Sequence, residues 1–134
     1  MSQPVKQAYF LPGADPEAWP YSEALRVDDW VFIAGQGPVD PVTQQPVLGT
    51  VEAETRLVFE HLRQLLELAG SALAEVVKVT VHLADIADFD AYNQVYREFF
   101  PTSPRPTRIT VQSTLWAGIK IEVECTAYSP RVRS

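Results

Sequence analysis

The sequence predicts an α+β subunit: a single mixed β-sheet with two helices packed on one face. Three observations predict it. Strand patterns bounded by turn-formers occur at 30–34, 76–83, 106–112 and 119–127. Two stretches, about 51–69 and 88–100, carry apolar residues at helical spacing. The order of strands, helix, strand, helix and two strands leaves two helices to cover one face of a mixed sheet.

The elements follow in order. Residues 1–19 are loop-rich, with Pro4, Pro12, Gly13 and Pro16, and admit one short strand over Gln7 to Phe10. Tyr21 to Val27 reads as a strand, followed by a turn at Asp28-Asp29. Trp30 to Ala34 is apolar on both faces, as in a central strand with both faces covered, and stops at Gly35-Gln36-Gly37-Pro38. The two glycines there permit positive φ and close approach of backbone to a ligand. Thr50 is placed to cap a helix over 51–69, with Glu52 and Glu54 in its first turn and Gly70 just past its end. Val76 to Leu83 is a strand with Val77, Val79, Val81 and Leu83 inward and Lys78, Thr80 and His82 outward. A second helix starts near Asp88 and stops at Pro101, with Phe89, Tyr92, Val95, Tyr96 and Phe99 as its buried stripe. Asn93 lies beside that stripe, a rim position by default and a site position in the sharper reading.

After a Pro-rich link, the last two strands read as a β-hairpin. Ile109 and Val111 alternate with Arg108, Thr110 and Gln112; Ile119, Ile121, Val123, Cys125 and Ala127 alternate with Lys120, Glu122, Glu124 and Thr126. A shared core on the apolar faces puts Arg108 within cross-strand reach of Glu122 and Glu124. By alternation alone that row is the wet face of a half-buried sheet. The sharper reading is a site in which a planar, bidentate guanidinium clamps a carboxylate while a glutamate handles water or protons. The other face also carries Trp30, Phe32 and Ala34, an apolar share that suggests burial in an oligomer.

The 134 residues suit one domain with its own core, and 46% hydrophobic with 21% charged residues is an ordinary globular composition. A formal net charge of -6 argues against a nucleic-acid surface, which needs a basic patch. The one cysteine, Cys125, falls on an apolar strand face and reads as a core thiol; a single thiol with no internal disulfide suits a reducing cytoplasm. No apolar run reaches the ~20 residues of a membrane span, and the N-terminus shows no export pattern. The two histidines, His61 and His82, have no neighbours at metal-ligand spacing, and there is no P-loop or nucleophile elbow. The residues therefore predict chemistry without metal or nucleotide. His61 reads as an exposed helix residue and His82 as a strand-surface or interface residue.

Six segments together resemble the RidA/YjgF family of imine deaminases, also labelled L-PSP endoribonuclease-like. They are Pro20-Tyr21, Ile33-Ala34-Gly35-Gln36-Gly37-Pro38-Val39, Val77-Lys78-Val79-Thr80-Val81, Tyr92-Asn93-Gln94-Val95-Tyr96-Arg97-Glu98-Phe99-Phe100, Pro106-Thr107-Arg108-Ile109-Thr110-Val111 and Ile121-Glu122-Val123-Glu124-Cys125. Each is weak alone; all six in family order are specific. The resemblance implies a chorismate-mutase-like subunit and a homotrimer with inward-facing sheets and sites between subunits. It implies cofactor-free hydrolysis of small 2-imino acids, such as 2-iminobutanoate and 2-iminopropanoate, to 2-keto acids and ammonia. Arg108 matches the arginine that grips the substrate carboxylate, and Glu122 the glutamate that places water near the imine carbon. Tyr21 matches a tyrosine that reaches the site, and Asn93 the asparagine of the second helix. Thr110 takes the place of a small residue that helps to fix the ligand, and Gly35 lies in the lining loop. Three departures bear on the substrate: Ala34 stands where serine is common, Trp19 where glycine is usual, and the 115–118 turn is one residue shorter. The rival expectations are a keto-acid-binding regulatory trimer, a chaperone-like trimer and, against the acidic charge, an RNA-cleaving protein.

Overall fold

Six strands and two α-helices form in the computed structural model, which describes residues 5–131. Pro4, one of the turn-formers noted above, lies outside the described residues. The strands are β1 (Lys6–Tyr9), β2 (Ala24–Val27), β3 (Trp30–Gln36), β4 (Val76–Leu83), β5 (Thr107–Gln112) and β6 (Ile121–Tyr128); the helices are α1 (Val51–Leu68) and α2 (Phe89–Phe99). The sheet runs β1-β2-β3-β6-β4-β5, with β4 and β5 parallel and every other neighbouring pair antiparallel.

This order corrects the terminal hairpin. β5 follows β4 through α2, and a crossover helix makes its flanking strands parallel neighbours. β6 then inserts on the other side of β4, between β4 and β3. Succession in the chain is therefore not adjacency in the sheet.

The face assigned to β5 is also reversed. Arg108 stands in one row with Val79 and Cys125, both buried under the helices, whereas Ile109 stands in a row with Thr80 and Glu124 and is 55% exposed. The rings of α2 explain the inversion: the Arg108 guanidinium lies 4.5 Å from the Tyr96 ring centre, 5.4 Å from Tyr92 and 5.6 Å from Phe89. An arginine can enter an apolar face when its cation stacks on aromatic rings.

Smaller differences have local causes. A register shift between Val76 and Lys78 turns Val76 into the core and leaves Val77 exposed. β2 begins only at Ala24, so Tyr21 belongs to the preceding loop. β3 continues through a second shift to Gln36 rather than stopping at Gly35, and its Trp30 and Phe32 side chains face out, so only one face is covered. Among the described glycines, positive φ falls at Gly13, Gly70 and Gly118, not at Gly35 or Gly37.

Helix α1 begins as expected. Thr50 accepts a hydrogen bond from Ala53 N at 3.1 Å, and Gly70 follows the last turn at φ +79°. Glu54 does more than complement the helix dipole. Its carboxylate is buried and accepts from Gly49 N, Lys120 N and Lys120 Nζ at 3.1, 2.7 and 3.0 Å. His61 is also buried, which corrects its exposed reading. At the far end of α1, where no basic residue occupies the last turn, Arg26 from β2 donates to Ala69 O at 2.8 Å and Ser129 O at 2.5 Å. Phe59, Leu62, Leu65, Tyr92, Val79, Val81, Ile121 and Val123 fill the core between sheet and helices.

Candidate active site

The sequence-derived site residues fall into two groups on opposite sides of the sheet. Tyr21, Gly35 and Glu122 line one cavity of about 360 Å³, together with Leu11, Trp19, Glu23, Gln36, Gly37, Val39, Pro41, Gln44 and Trp116. Glu122 reaches it because its neighbours on β6, Ile121 and Val123, point into the core, and alternation turns Glu122 to the uncovered face. Gly35 earns its place by proximity: a Cβ there would stand 3.1 Å from Glu122 Oε2. Burial raises the Tyr21 phenol, and the charges of Glu23 and Glu122 raise it further, so Tyr21 keeps its proton at neutral pH and remains an O–H donor. Burial likewise raises the Glu23 carboxyl, against a lowering backbone hydrogen bond from Leu11.

The second group gathers around Arg108. Arg108 Nη1 donates to Asn93 Oδ1 at 2.6 Å, and Arg108 and Asn93 line a cavity of about 390 Å³ with Tyr96, Arg97, Arg105 and Pro106. Among the described residues Arg108 forms no ion pair. Thr110, on the same face of β5, shares a 2.5 Å hydrogen bond with the Tyr92 hydroxyl, which fixes one of the rings under the guanidinium. Burial is the main cause that pushes the Tyr96 phenol up to about 12, so that ring stays neutral beneath the cation. The arrangement is a cation positioned by Asn93 and three rings beside a cavity, a geometry suited to a carboxylate.

Arg108 and Glu122 are thus not brought together within one chain. β4 lies between their strands and the sheet between their side chains. The residue that stands directly across from Glu122 is His82 of β4, whose Nδ1 is 2.8 Å from Ser113 Oγ. Sequence reasoning missed the aromatic wall, Trp19 and Trp116, of the Glu122 cavity. The unusual residue at position 19 was the available signal: Trp19 Nε1 donates to Gln44 Oε1 at 2.8 Å and so stands fixed at the cavity's side. Ala34 is not among the lining residues. Cys125 is 5% exposed, and burial pushes its thiol up to about 12, which leaves it a core residue rather than a nucleophile. No helix is long and apolar enough to cross a membrane among the described residues.

Fold and geometry together give an α+β chain with a cavity around an arginine on one side of its sheet and a cavity around a glutamate on the other. Comparison with known proteins gives the family. The Endoribonuclease L-PSP family matches residues 13–129. A RutC family protein of Pyrococcus abyssi is 42% identical over 125 residues, 92% of this chain and 98% of that one. The human 2-iminobutanoate/2-iminopropanoate deaminase is 35% identical over 128 residues, 95% of this chain and 93% of that one. The crystal structure of a Thermotoga maritima protein described as a putative endoribonuclease superposes with a TM-score of 0.86 at 36% identity, covering 95% of this chain and all of the other. The chain belongs to the Endoribonuclease L-PSP family, the RidA/YjgF family that its motifs resemble. At that level the relatives support a reactive-intermediate deaminase, although several carry only the RutC family name.

Proposed function

We propose that this protein hydrolyses 2-imino acids to 2-keto acids and ammonia, in a homotrimer whose sites join the Arg108 half of one copy to the Glu122 half of another. One observation carries the reading. Arg108, on the edge strand, forms no ion pair among the described residues, and Glu122 lies on the far face of the same sheet. Neither half alone addresses both a carboxylate and the carbon next to it. The open face supports assembly, since it exposes Trp30, Phe32, Val77, Ile109 and Tyr128.

In the joined site Arg108 binds the substrate carboxylate, with Asn93 holding one arm of its fork. Glu122 takes a proton from water as the oxygen adds to the imine carbon and the C=N electron pair moves to nitrogen, and it then passes that proton to the nitrogen. Collapse of the resulting carbinolamine breaks the C–N bond and releases ammonia and the keto acid. Tyr21 supplies a neutral O–H donor beside the reacting atoms. The rate gain comes from fixing an already electrophilic carbon next to a placed water and a base. The buried single thiol suits a reducing cytoplasm, where we place the protein.

The test is a trapping assay. A dehydratase generates 2-iminobutanoate, semicarbazide captures it, and hydrolysis by this protein lowers semicarbazone formation. Arg108→Ala and Glu122→Gln should each be inactive. Unfolded and refolded together, they should regain about one quarter of wild-type activity, because a random assembly of that symmetry pairs two intact halves at that frequency. Mixed trimers without recovery would sink the split site. Wild-type trimers with no effect on semicarbazone would sink the hydrolytic reading and favour keto-acid binding without turnover.

A further inference from the structure

The Glu122 cavity is larger and more apolar than a methyl or ethyl side chain requires. Its 360 Å³ is more than twice the roughly 150 Å³ that suffices to hold a benzene ring in a protein interior. Trp19, Tyr21 and Trp116 offer three aromatic surfaces, and Leu11, Val39 and Pro41 complete the apolar wall. The Trp19 ring is set in place by its bond to Gln44, and the turn that carries Trp116 is set by left-handed backbone at Ala117 and Gly118, with φ of 56° and 78°. The carboxylate of Glu122 stands among these walls, beside Gly35.

We infer that the preferred substrates are 2-imino acids with an aromatic or long apolar side chain, and that Trp19 and Trp116 determine that preference. The inference rests on the hydrolytic reading above and names the substrate class for the same site. Binding a 2-imino acid means placing its imine carbon with the attached nitrogen, its carboxylate and its side chain. Its imine carbon must lie at Glu122 and its carboxylate at an arginine, which leaves the side chain for the apolar wall. These walls belong to one chain, so they frame the side chain's position however a second copy supplies Arg108. A phenyl ring there is removed from water and meets aromatic faces in offset or edge-on contact, whereas a methyl group leaves most of the wall wet.

The experiment compares two imines made by the same enzyme. D-amino-acid oxidase with catalase converts D-alanine and D-phenylalanine to 2-iminopropanoate and 2-imino-3-phenylpropanoate, and semicarbazide competes for each. The phenyl imine should be consumed at least ~10-fold more efficiently, as burial of several extra carbons implies. Trp116→Ala should cut that ratio severalfold. The wild-type ratio decides the matter even if this variant does not fold. Calorimetry with 2-oxo-3-phenylpropanoate and 2-oxopropanoate gives a readout free of turnover, with tenfold tighter binding expected for the phenyl compound. Equal or methyl-favouring ratios in both measurements overturn the inference and leave the hydrolytic reading standing. Failure to consume either imine, alongside tighter phenyl binding, overturns the hydrolytic reading and leaves the side-chain pocket standing.

Discussion

The two halves of the candidate site are built from opposite materials. Around Arg108 the neighbours hold it: Asn93 takes one arm of the fork, three rings lie around the guanidinium, and Thr110 pins one of those rings. Around Glu122 the neighbours make room, with a glycine where any side chain would crowd the carboxylate and apolar walls set back from it. Under the proposed function the difference is a division of labour. A group that must bind a charge is worth most when held still, because fixing it on binding costs entropy. A group that must serve substrates and water needs space.

Removal of the held cation should have the largest effect. Arg108→Ala should lower kcat/KM by about 1,000-fold, the scale of a lost charge-assisted bidentate contact, with the far-UV circular dichroism unchanged. Retention of more than a tenth of the activity would show that this half does not carry the carboxylate. Next comes the glycine. In Gly35→Ala the new methyl would press on Glu122 Oε2 from 3.1 Å, and a carboxylate displaced by a few tenths of an ångström should cost about tenfold in kcat with KM little changed. Asn93→Ala should do the reverse, raising KM about fivefold through the loss of one hydrogen bond while kcat holds. Steady-state kinetics that show these two variants moving the same parameter would erase the contrast between the halves.

The smallest effect is one of pH. Burial lowers the His61 pKa below its ordinary 6.5, against the raising influence of Gly37, in the loop that lines the Glu122 cavity. A lowered histidine favours folding fully above pH 6.5 and loses that contribution as acid protonates the unfolded chain. The melting temperature should therefore fall between pH 7.5 and pH 5.5, and His61→Gln should flatten the slope. An unchanged slope would remove His61 as its source. Around Arg108, by contrast, Tyr92 and Tyr96 are raised above their ordinary 10 and do not titrate there.

Much of this molecule could be read from its sequence, and the failures share a cause. Thr50, Gly70 and the stripe of α2 announce themselves through neighbours three or four residues away. The alternation of β5 was equally plain, yet alternation names two faces without saying which is inward. Arg108 looked wet because the rings that accept it belong to α2, 12 to 19 residues earlier in sequence. Still longer separations in sequence hid the insertion of β6 beside β4 and the contact of His61 with the Gly37 backbone. Of the candidate residues, Tyr21, Gly35 and Glu122 line one cavity, Arg108 and Asn93 line another, and Thr110 lines neither; that division between opposite faces was invisible in the sequence.

Glu54 bears on how this pocket could be altered. One buried carboxylate ties the chain just before α1, at Gly49, to the chain just before β6, at Lys120. Trp116 sits four residues before that second anchor. A library that varied Trp116 while keeping Glu54 and Lys120 would remodel the wall on a tethered frame. One that varied Glu54 as well would let the frame drift, and changes in selectivity could no longer be traced to the wall. The place to hold constant in redesign is thus a carboxylate that touches no part of the cavity.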